Sequence, residues 1–533
     1  MEKPTAAQAY DHARAAHARG DFDTALGAYK YALDAEPGHT GALDGMVAIL
    51  EMARTPGFNP TLAALLEQAL AADGAETEAL SLSAAHQLIV KYRMTDPGQS
   101  PSRDLLAAMV KDKLLLLTLT RTITRDPRLE GFMIRVRDAL CAADMPATLL
   151  PLALALAHQA YNNEYVWAQD ASAASSLPLD TFGQARRAMF APLAEEAARD
   201  PALADLAQAT ILSQAADREA AARIPEWTAI GDATSQAVRA MYEANPYPRW
   251  LRLRRTEKVD IRKAIAERYM PGETLPAFAT PLRVLMPGAG TGQHPLSVAA
   301  NYTDVGVDAV DLSKASLGYG LRQAEAQGVT NINFVQADIL ALPSLGSSWG
   351  HIESVGVLHH MASPRAGLEA LTQVLVPGGL MRLALYGEHG RRVVVEARDA
   401  IAKSGYADDA AGLRRFRGDV LSGKLGKTLQ VELPHWPDFH SASLLRDLCF
   451  HVQETRYDIP KLKALLAGLP LRFLGFEFVR GRVQQQDAEA PAFRAYAKKF
   501  PKDKAMADLD RWEAIEKADP KLFPGYAFWL LRT

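Results

Sequence analysis

A glycine-rich turn after an apolar run is the part of this sequence that points most directly to chemistry. Residues 282–286 are mostly apolar and favour a strand, and Gly288, Gly290 and Gly292 follow in close succession. Glycine permits positive φ and lets a ligand lie against the main chain, where a helix N-terminus offers free N–H groups. The turn therefore predicts a binding site for a nucleotide-like ligand between a strand and a helix.

Two carboxylates follow later apolar runs, at spacings that fit the same edge of a sheet. Asp311 comes directly after the run 305–310, and a carboxylate there can accept hydrogen bonds from both hydroxyls of a ribose. Asp338 follows the run 332–336 and is expected on the rim beside an adenine pocket. A glycine turn alone does not identify the ligand, because it also suits NAD-binding enzymes, whose fingerprint places the third glycine further on. The positions of the two carboxylates restrict the choice of ligand.

Taken in order, the segments PGAGTGQ, VDLS, QADIL, VLHHM and LVPGGL resemble those of class I, Rossmann-like S-adenosylmethionine-dependent methyltransferases. The resemblance covers residues 281–386 and implies S-adenosylmethionine as cofactor, S-adenosylhomocysteine as product, and no metal. By position it also implies a cofactor-binding set, which is Gly288, Ala289, Gly290, Gly292, Asp311, Leu312, Asp338, Ile339 and Val357.

The candidates for catalysis stand near the ends of the fourth and fifth predicted strands. A sulfonium methyl is already activated, so a general base is needed only if the nucleophile arrives protonated. Because ligands of open α/β sheets bind at the carboxyl ends of strands, the candidates are His359, His360, Glu353 and Tyr386, with Glu388 beside them. Alternatively, the histidines cap the following helix and hold the loop, and Glu353 finds a buried partner instead of facing the cofactor.

An aromatic and basic cluster precedes the first strand of this domain. Tyr242, Tyr247, Arg249 and Trp250 are predicted to form a lid over the cofactor or part of a substrate channel, and an interdomain clasp is the alternative. The segment 245–248 resembles the Asn-Pro-Pro-Tyr motif only superficially, since it lies before the first strand and not after the fourth. We expect no metal site, because the histidines near residues 435–451 lack metal-ligand spacing.

The first 240 residues are rich in alanine and leucine at helical spacing, which predicts a helical array. Small and aromatic residues in its first two helices resemble a tetratricopeptide repeat, with the pattern Ala9, Ala13, Ala25, Tyr29, Ala32 and Pro37. Later matches are irregular, and a generic helical bundle is the alternative. The whole chain resembles bacterial proteins in which such helices precede this methyltransferase domain, which implies a protein-facing N-terminal half.

The predicted fold is therefore multidomain, with an all-α N-terminal half followed by an α/β Rossmann-like domain with a mostly parallel seven-stranded sheet. The predicted strands cover residues 282–286, 305–310, 332–336, 352–358, 380–386, 471–479 and 526–531. The predicted regions are tetratricopeptide-like helices (1–92), a further helical domain (93–240), a lid or linker (241–280), the cofactor-binding core (281–390), a helical insertion as candidate substrate cap (391–470), and the last two strands (471–533).

Composition excludes several classes of protein. The chain has 533 residues, 48% of them hydrophobic and 23% charged, with a formal net charge of −3, which is typical of a globular protein in several domains and gives no reason to expect a nucleic-acid partner. The two cysteines are far apart and do not indicate disulfides. We expect a cytoplasmic protein without a signal peptide or membrane span.

Three functions are compatible with these patterns. The first is a methyltransferase whose helical half recruits a protein or peptide substrate. The second is an assembly or scaffold protein that binds S-adenosylmethionine without turnover. The third is a small-molecule methyltransferase whose helices serve a homodimer. The predicted cofactor-binding residues support binding of S-adenosylmethionine. They do not distinguish between the two alternatives in which the protein is an active methyltransferase.

Overall fold

The computed structural model describes residues 3–94, 101–169, 174–269, 281–477 and 491–533. The Pro-rich stretch 271–280, which belongs to the predicted lid or linker, lies outside these residues. So does the end of the strand predicted over 471–479. Within the described ranges, no helix has the length and apolarity that are needed to cross a bilayer.

The chain folds into two compact units, and neither is one continuous stretch of sequence. The helical unit comprises Met1–Ala216, Arg249–Glu257 and Arg398–Phe450. The sheet unit comprises Asp217–Pro248, Lys258–Ala397 and His451–Thr533. These divisions differ from the predicted regions, because part of the predicted insertion folds with the N-terminal helices and the end of the predicted helical half folds with the sheet.

Helices make up the chain before the first strand, as predicted. They are α1 to α13, in order Ala6–Ala18, Phe22–Ala35, Thr40–Leu50, Pro60–Ala71, Ser81–Tyr92, Arg103–Met109, Lys113–Arg121, Pro127–Leu140, Leu150–Asn162, Thr181–Arg187, Ala204–Ala207, Ser213–Ala222 and Ala233–Ala244. The first three helices show why small residues recur, since Ala13 on α1 and Ala25 on α2 are fully buried and a side chain at Gly45 on α3 would meet the Tyr29 ring. The tetratricopeptide assignment itself stays a prediction.

Strands alternate with helices in the second half of the chain. The strands β1 to β9 are Val259–Asp260, Leu282–Pro287, Tyr302–Thr303, Val305–Asp311, Ile332–Gln336, Trp349–Val355, Leu375–Tyr386, Leu471–Phe476 and Gly525–Arg532. The helices α14 to α24 are Ile261–Tyr269, Gln293–Asn301, Lys314–Ala326, Pro364–Val374, Arg392–Ser404, Ala410–Leu421, Lys427–Glu432, Ala442–Phe450, Ile459–Leu466, Pro491–Lys499 and Leu509–Glu516.

Seven of these strands form one sheet in the order β5-β4-β2-β6-β7-β9-β8. Only β9 runs in the opposite direction to the other six, so its pairs with β7 and β8 are antiparallel. The predicted mostly parallel seven-stranded sheet is thereby confirmed. Alternate residues of a strand are buried on opposite faces of the sheet. On β2, Val284 and Met286 belong to the core on one face, and Leu285 belongs to the core on the other. Parallel order brings the carboxyl ends of β2, β4, β6 and β7 to one edge.

Two predicted strands have other boundaries in the structure. The fifth, predicted at 380–386, is β7 and begins at Leu375. The fourth predicted strand, 352–358, is β6 at Trp349–Val355, and it ends before Gly356. Gly356 has a φ of +77°, which turns the chain into a 3₁₀ turn at Leu358–His360. The histidines predicted at a strand end therefore lie in the turn that follows it.

The segment Arg398–Phe450 is helical, as predicted, and is held to the N-terminal helices by buried polar contacts. Arg417 on α19 forms an ion pair with Glu130 on α8, and the two side chains are each 2% exposed. The Arg417 guanidinium also donates to the Phe439 carbonyl, at 3.0 Å. A buried ion pair between residues so distant in sequence fixes this segment as part of the helical unit.

Candidate active site

The glycine-rich turn connects β2 to α15, and Gly288, Gly290 and Gly292 have φ of +73°, +53° and +83°. The N–H groups of Gly288 and Ala289 donate to the Val310 carbonyl on β4, at 2.8 and 3.0 Å. These bonds tie the turn to the neighbouring strand. The left-handed conformation explains the glycines locally, because other residues rarely adopt it.

Close packing within the protein gives a second reason for two of these glycines. A Cβ at Gly288 would lie 2.1 Å from a methyl carbon of Val357, and one at Gly290 would lie 2.4 Å from the Tyr247 carbonyl oxygen. From the sequence, only a ligand was expected to lie against the main chain of the turn. The structure shows that Val357 and the segment ending at Tyr247 take part of that space.

Asp311 lies at the end of β4, where the resemblance placed a ribose-binding acid. One carboxylate oxygen accepts the Gly290 N–H at 2.8 Å, and the other accepts the Ser313 N–H at 2.9 Å. Burial raises the pKa of Asp311 above its usual value, against the lowering effect of these two N–H groups. Each oxygen keeps a further lone pair, so the carboxylate can still accept hydrogen bonds from ribose hydroxyls.

The position of the second predicted carboxylate, Asp338, is set by a segment from before the domain. Asp338 is 3% exposed, its side chain accepts the Leu340 N–H at 3.0 Å, and its own N–H donates to the Thr228 hydroxyl at 2.9 Å. Ile339 begins the 3₁₀ turn that Asp338 caps, and the Leu312 carbonyl accepts from the Gln336 side chain at 2.7 Å. The predicted adenine-side residues thus form one hydrogen-bonded rim.

Glu353 has buried partners, as expected if it does not face the cofactor. Its carboxylate lies 3.0 Å from ring nitrogens of His294 and His351 and 3.0 Å from the Arg382 guanidinium. Burial would raise the pKa of Glu353, but the hydrogen bonds from the two histidines and the charge of Arg382 hold it well below its usual range. The group is an ionised, fully engaged acceptor, and this geometry does not favour a base.

The other three catalytic candidates meet in what we call the histidine–tyrosine cluster, which consists of His359, His360, Tyr386, His451 and Tyr242. The His359 ring stacks on Tyr386 with centroids 3.8 Å apart, and His360 stacks on His451 at 3.7 Å. Tyr242 lies 6.0 Å from His451. The cluster lies at the carboxyl ends of β6 and β7, next to the end of β2 that carries the glycine turn.

The two histidines of the turn differ in their hydrogen bonds. A ring nitrogen of His360 lies 2.7 Å from the Gln453 carbonyl oxygen, which ties the turn to the chain before β8. His359 is fully buried, and neither of its ring nitrogens has a hydrogen-bond partner among the described residues. The alternative that they cap the next helix is wrong, because Ser363 caps α17 with a 3.2 Å hydrogen bond to the Ala366 N–H.

The predicted lid residues do not all belong to one unit. Tyr242 and Tyr247 belong to the sheet unit, where their rings stack at 6.0 Å and the Tyr247 carbonyl accepts the Thr291 N–H at 3.0 Å. Arg249 and Trp250 belong to the helical unit, where Arg249 lies 4.5 Å from the Tyr161 ring centroid and Trp250 is 1% exposed. Tyr247 therefore supports the glycine turn directly, and Tyr242 supports it through its stack on Tyr247.

Sequence reasoning missed Glu243, which lies between the predicted lid residues. Its carboxylate accepts the N–H groups of Lys314 and Ala315, at 2.7 and 3.2 Å, at the N-terminus of α16. A carboxylate is favoured there by the helix dipole. It also lies close enough to Asp311 to raise the pKa of that acid. The available signal was its place directly after Tyr242, within the predicted lid cluster.

The residues of this edge fit S-adenosylmethionine. The glycine turn provides closely approachable main chain, Asp311 provides acceptors for ribose hydroxyls, and the end of β6 faces the side where the methyl group is expected. When bound, this cofactor supplies an activated methyl group. The protein's own part is to hold the ribose, orient the acceptor and exclude water.

Comparison with known proteins agrees with this geometry. Residues 284–379 match a family described as a methyltransferase domain. An uncharacterized protein of Synechococcus sp. is 29% identical over 339 residues, which are 58% of this chain and 75% of that protein. The tRNA 5-carboxymethoxyuridine methyltransferase of Escherichia coli is 31% identical over 143 residues, which are 25% of this chain and 52% of the enzyme.

Among solved structures, PKMT2 from Rickettsia typhi in complex with AdoHcy is 16% identical, with a TM-score of 0.37, and the likeness covers 54% of this chain and 55% of that one. The chain thus spans about half the length of this protein and of the Escherichia coli enzyme.

The fold and its glycine turn define a Rossmann-like nucleotide-binding domain of the kind that carries its ligand at the carboxyl edge of the sheet. More narrowly, residues 284–379 are an S-adenosylmethionine-dependent methyltransferase domain. The roles of the individual site residues remain predictions.

Proposed function

We propose that the whole protein transfers the methyl group of S-adenosylmethionine to a protein or peptide that the helical unit recruits. The cofactor edge of the sheet unit supplies the chemistry. A cleft in the helical unit is the observation that supports a macromolecular substrate. The predicted cytoplasmic location belongs to the same proposal.

The cleft has a volume of about 480 Å³ and lies between α7, α9 and α11. Half-buried apolar side chains line it, including Leu116, Leu117 and Leu154. Lys111 and Lys113 lie on its edge, and in the described part of the chain neither makes an ion pair. Asp205 also lines the cleft, so two lysines face one carboxylate there. Apolar walls with this excess of cations are complementary to a peptide that carries apolar and acidic residues together.

The Escherichia coli relative acts, by its name, on tRNA. This chain has a formal net charge of −3, and the cleft is apolar with few cations, so neither property favours an RNA backbone. A scaffold role without turnover does not explain why His359 is fully buried while its ring nitrogens have no hydrogen-bond partner within the described residues. The first observation disfavours RNA as the substrate, and the second favours turnover over a scaffold role.

Methyl incorporation tests this proposal. The full chain is incubated with methyl-tritiated S-adenosylmethionine and a bacterial lysate, and products are separated by size. We expect label in protein, and no label with Asp311→Ala, which removes the predicted ribose contact. Label confined to small molecules would support the small-molecule alternative, and no label with the wild-type chain would support the scaffold.

The cleft is tested by reversing its charge. Lys111→Glu with Lys113→Glu should raise the KM for the protein substrate about tenfold while S-adenosylmethionine binding, measured by calorimetry, stays unchanged. Lys403→Glu is the matched control, because that lysine is exposed, lies in the helical unit and does not line the cleft. Equal effects of the two changes would contradict a role for the cleft.

A further inference from the structure

His359 is a buried group with unused hydrogen-bonding capacity. It is fully buried, and among the described residues both of its ring nitrogens lack a hydrogen-bond partner. The stack on Tyr386 and the edge contact with His360, with centroids 4.3 Å apart, fix the ring in place. An unsatisfied buried polar group is costly, so a bound group that completes its hydrogen bonds is favoured there.

The charges around His359 are arranged in favour of an anion. Burial, together with His360, Arg391 and His451, lowers the pKa of His359 well below its usual range, so the ring is neutral at physiological pH and offers one N–H donor. Arg391 lies over the Tyr386 ring, 3.9 Å from its centroid, with its guanidinium paired to Glu454. The Glu454 carboxylate is thus already paired with the Arg391 guanidinium.

Further charges near this edge are also paired. Glu454 lies 3.7 Å from Arg456, and Arg456 and Lys461 both contact Glu388, at 3.3 and 3.0 Å. These contacts engage the carboxylates of Glu388 and Glu454, so neither of them is free to pair with an ammonium acceptor. An anionic acceptor, in contrast, would have the His359 N–H and the field of Arg391.

We propose that the methyl acceptor is a carboxylate, held by the His359 N–H, and that the product is a methyl ester. This inference rests on the proposed function and names the acceptor at the same site. A carboxylate oxygen attacks the sulfonium methyl carbon, a C–O bond forms while the C–S bond breaks, and the electron pair stays on sulfur. No proton moves, so the reaction needs no general base.

The environment suits this reaction better than methylation of an amine or hydroxyl. An anion and a sulfonium combine into two neutral groups, which a dry site favours because opposite charges disappear in the step. An ammonium or a hydroxyl must first lose a proton, and a neutral histidine flanked by Arg391 is a weak acceptor for it. The oxygen of an ionised carboxylate arrives ready to react.

The chemical lability of the product tests the acceptor. Protein labelled in the lysate experiment is isolated at acidic pH and then exposed to mild base, which cleaves methyl esters to volatile methanol but leaves N-methyl and ether groups intact. We expect most of the label to become volatile. Base-stable label would overturn the carboxylate while leaving the proposed function intact, whereas no label at all would overturn both.

The role of His359 is tested by variants that keep or remove the N–H donor. His359→Phe can still stack on Tyr386 but cannot donate, and ester formation should fall about 10- to 100-fold. His359→Gln should restore part of the rate. S-adenosylhomocysteine binding, measured by calorimetry, should be the same in both variants, and equal losses in both would contradict the hydrogen bond.

A binding measurement completes the test without turnover. Acetate serves as a probe for a carboxylate and methylammonium as a probe for an amine, each titrated into the protein with bound S-adenosylhomocysteine. The ¹³C signal of the His359 ring, assigned by its loss in His359→Phe, should shift and saturate with acetate at lower concentration than with methylammonium. The reverse order would overturn the proposal.

Discussion

At the scale of single residues, Asp311 shows how one carboxylate can organise a site before any ligand binds. Its two oxygens accept main-chain N–H groups from the glycine turn and from the start of α16. The same atoms that are predicted to bind ribose therefore also hold the two elements on either side of it. Such preorganisation spares the protein part of the cost of ordering the turn when the cofactor binds.

A buried histidine in the helical unit predicts a pH dependence of stability. His440 is 1% exposed, and one ring nitrogen lies 2.9 Å from the Pro434 carbonyl oxygen. Burial, with the charge of Arg417 nearby, lowers its pKa to about 3. Below pH 6.5 the unfolded chain takes up a proton at this ring and the folded chain does not, so stability falls as the pH falls.

At pH 5 the loss from His440 should be on the order of 2 kcal/mol relative to pH 7.5. Urea unfolding of the full chain at both values measures it. His440→Asn keeps a donor for the Pro434 carbonyl and removes the titration, so its loss of stability between the two pH values should be smaller by that amount. An equal drop in both proteins would contradict this account, since other acid-sensitive groups are common to them.

At the scale of elements, the glycine turn depends on the segment that runs into Tyr247. Gly290→Ala would force an alanine into a φ of +53° and place its Cβ 2.4 Å from the Tyr247 carbonyl oxygen. The turn or the segment must shift, and the bond from the Gly290 N–H to Asp311 would be disturbed. We expect S-adenosylmethionine affinity, measured by calorimetry, to fall at least about tenfold.

Gly306→Ala is the control for that change. Gly306 lies in β4 with ordinary strand geometry, and a Cβ there would meet nothing within 4 Å. The substitution should leave cofactor affinity unchanged. If both alanines weakened binding equally, the effect would reflect general loss of flexibility and not the contact with Tyr247.

The sequence allowed the elements of the sheet to be predicted better than the polar contacts between them. Alternating apolar runs and helical patterns mark β2, β4 and β5 nearly to the residue, because most residues of these strands are buried and apolar. Most partners of Glu353 could not be found in this way. His351 lies two residues away on the same face of β6, but His294 on α15 and Arg382 on β7 reach Glu353 from other elements, and no local pattern records such a meeting.

At the scale of the whole molecule, long-range ion pairs decide which segments belong together. The partners Glu130 and Arg417 are 287 residues apart, and that distance is why the sequence placed residues 391–470 with the methyltransferase domain alone. The prediction that this segment is helical was correct. Helical periodicity carries no information on the neighbours against which the helices pack.

The same pair predicts a large and specific loss of stability. Glu130→Ala would leave the Arg417 guanidinium buried without its carboxylate, which costs about 3–5 kcal/mol. Urea unfolding, followed by the helical signal of the full chain, measures the change. The double variant Glu130→Met with Arg417→Met removes both charges, and we expect it to recover most of the loss. A double variant as unstable as Glu130→Ala would refute this explanation.

The position of β9 in the sheet has a consequence for synthesis on the ribosome. β9 pairs with β7 on one side and β8 on the other, and β8 meets the sheet only through it. While the chain is being translated, β7 therefore presents an unpaired apolar edge, and β8 has no neighbour, until residues 525–532 have emerged. Such an edge is open to pairing with other chains. The nascent protein should consequently depend on ribosome-associated chaperones over this interval, more than its five parallel strands alone would require.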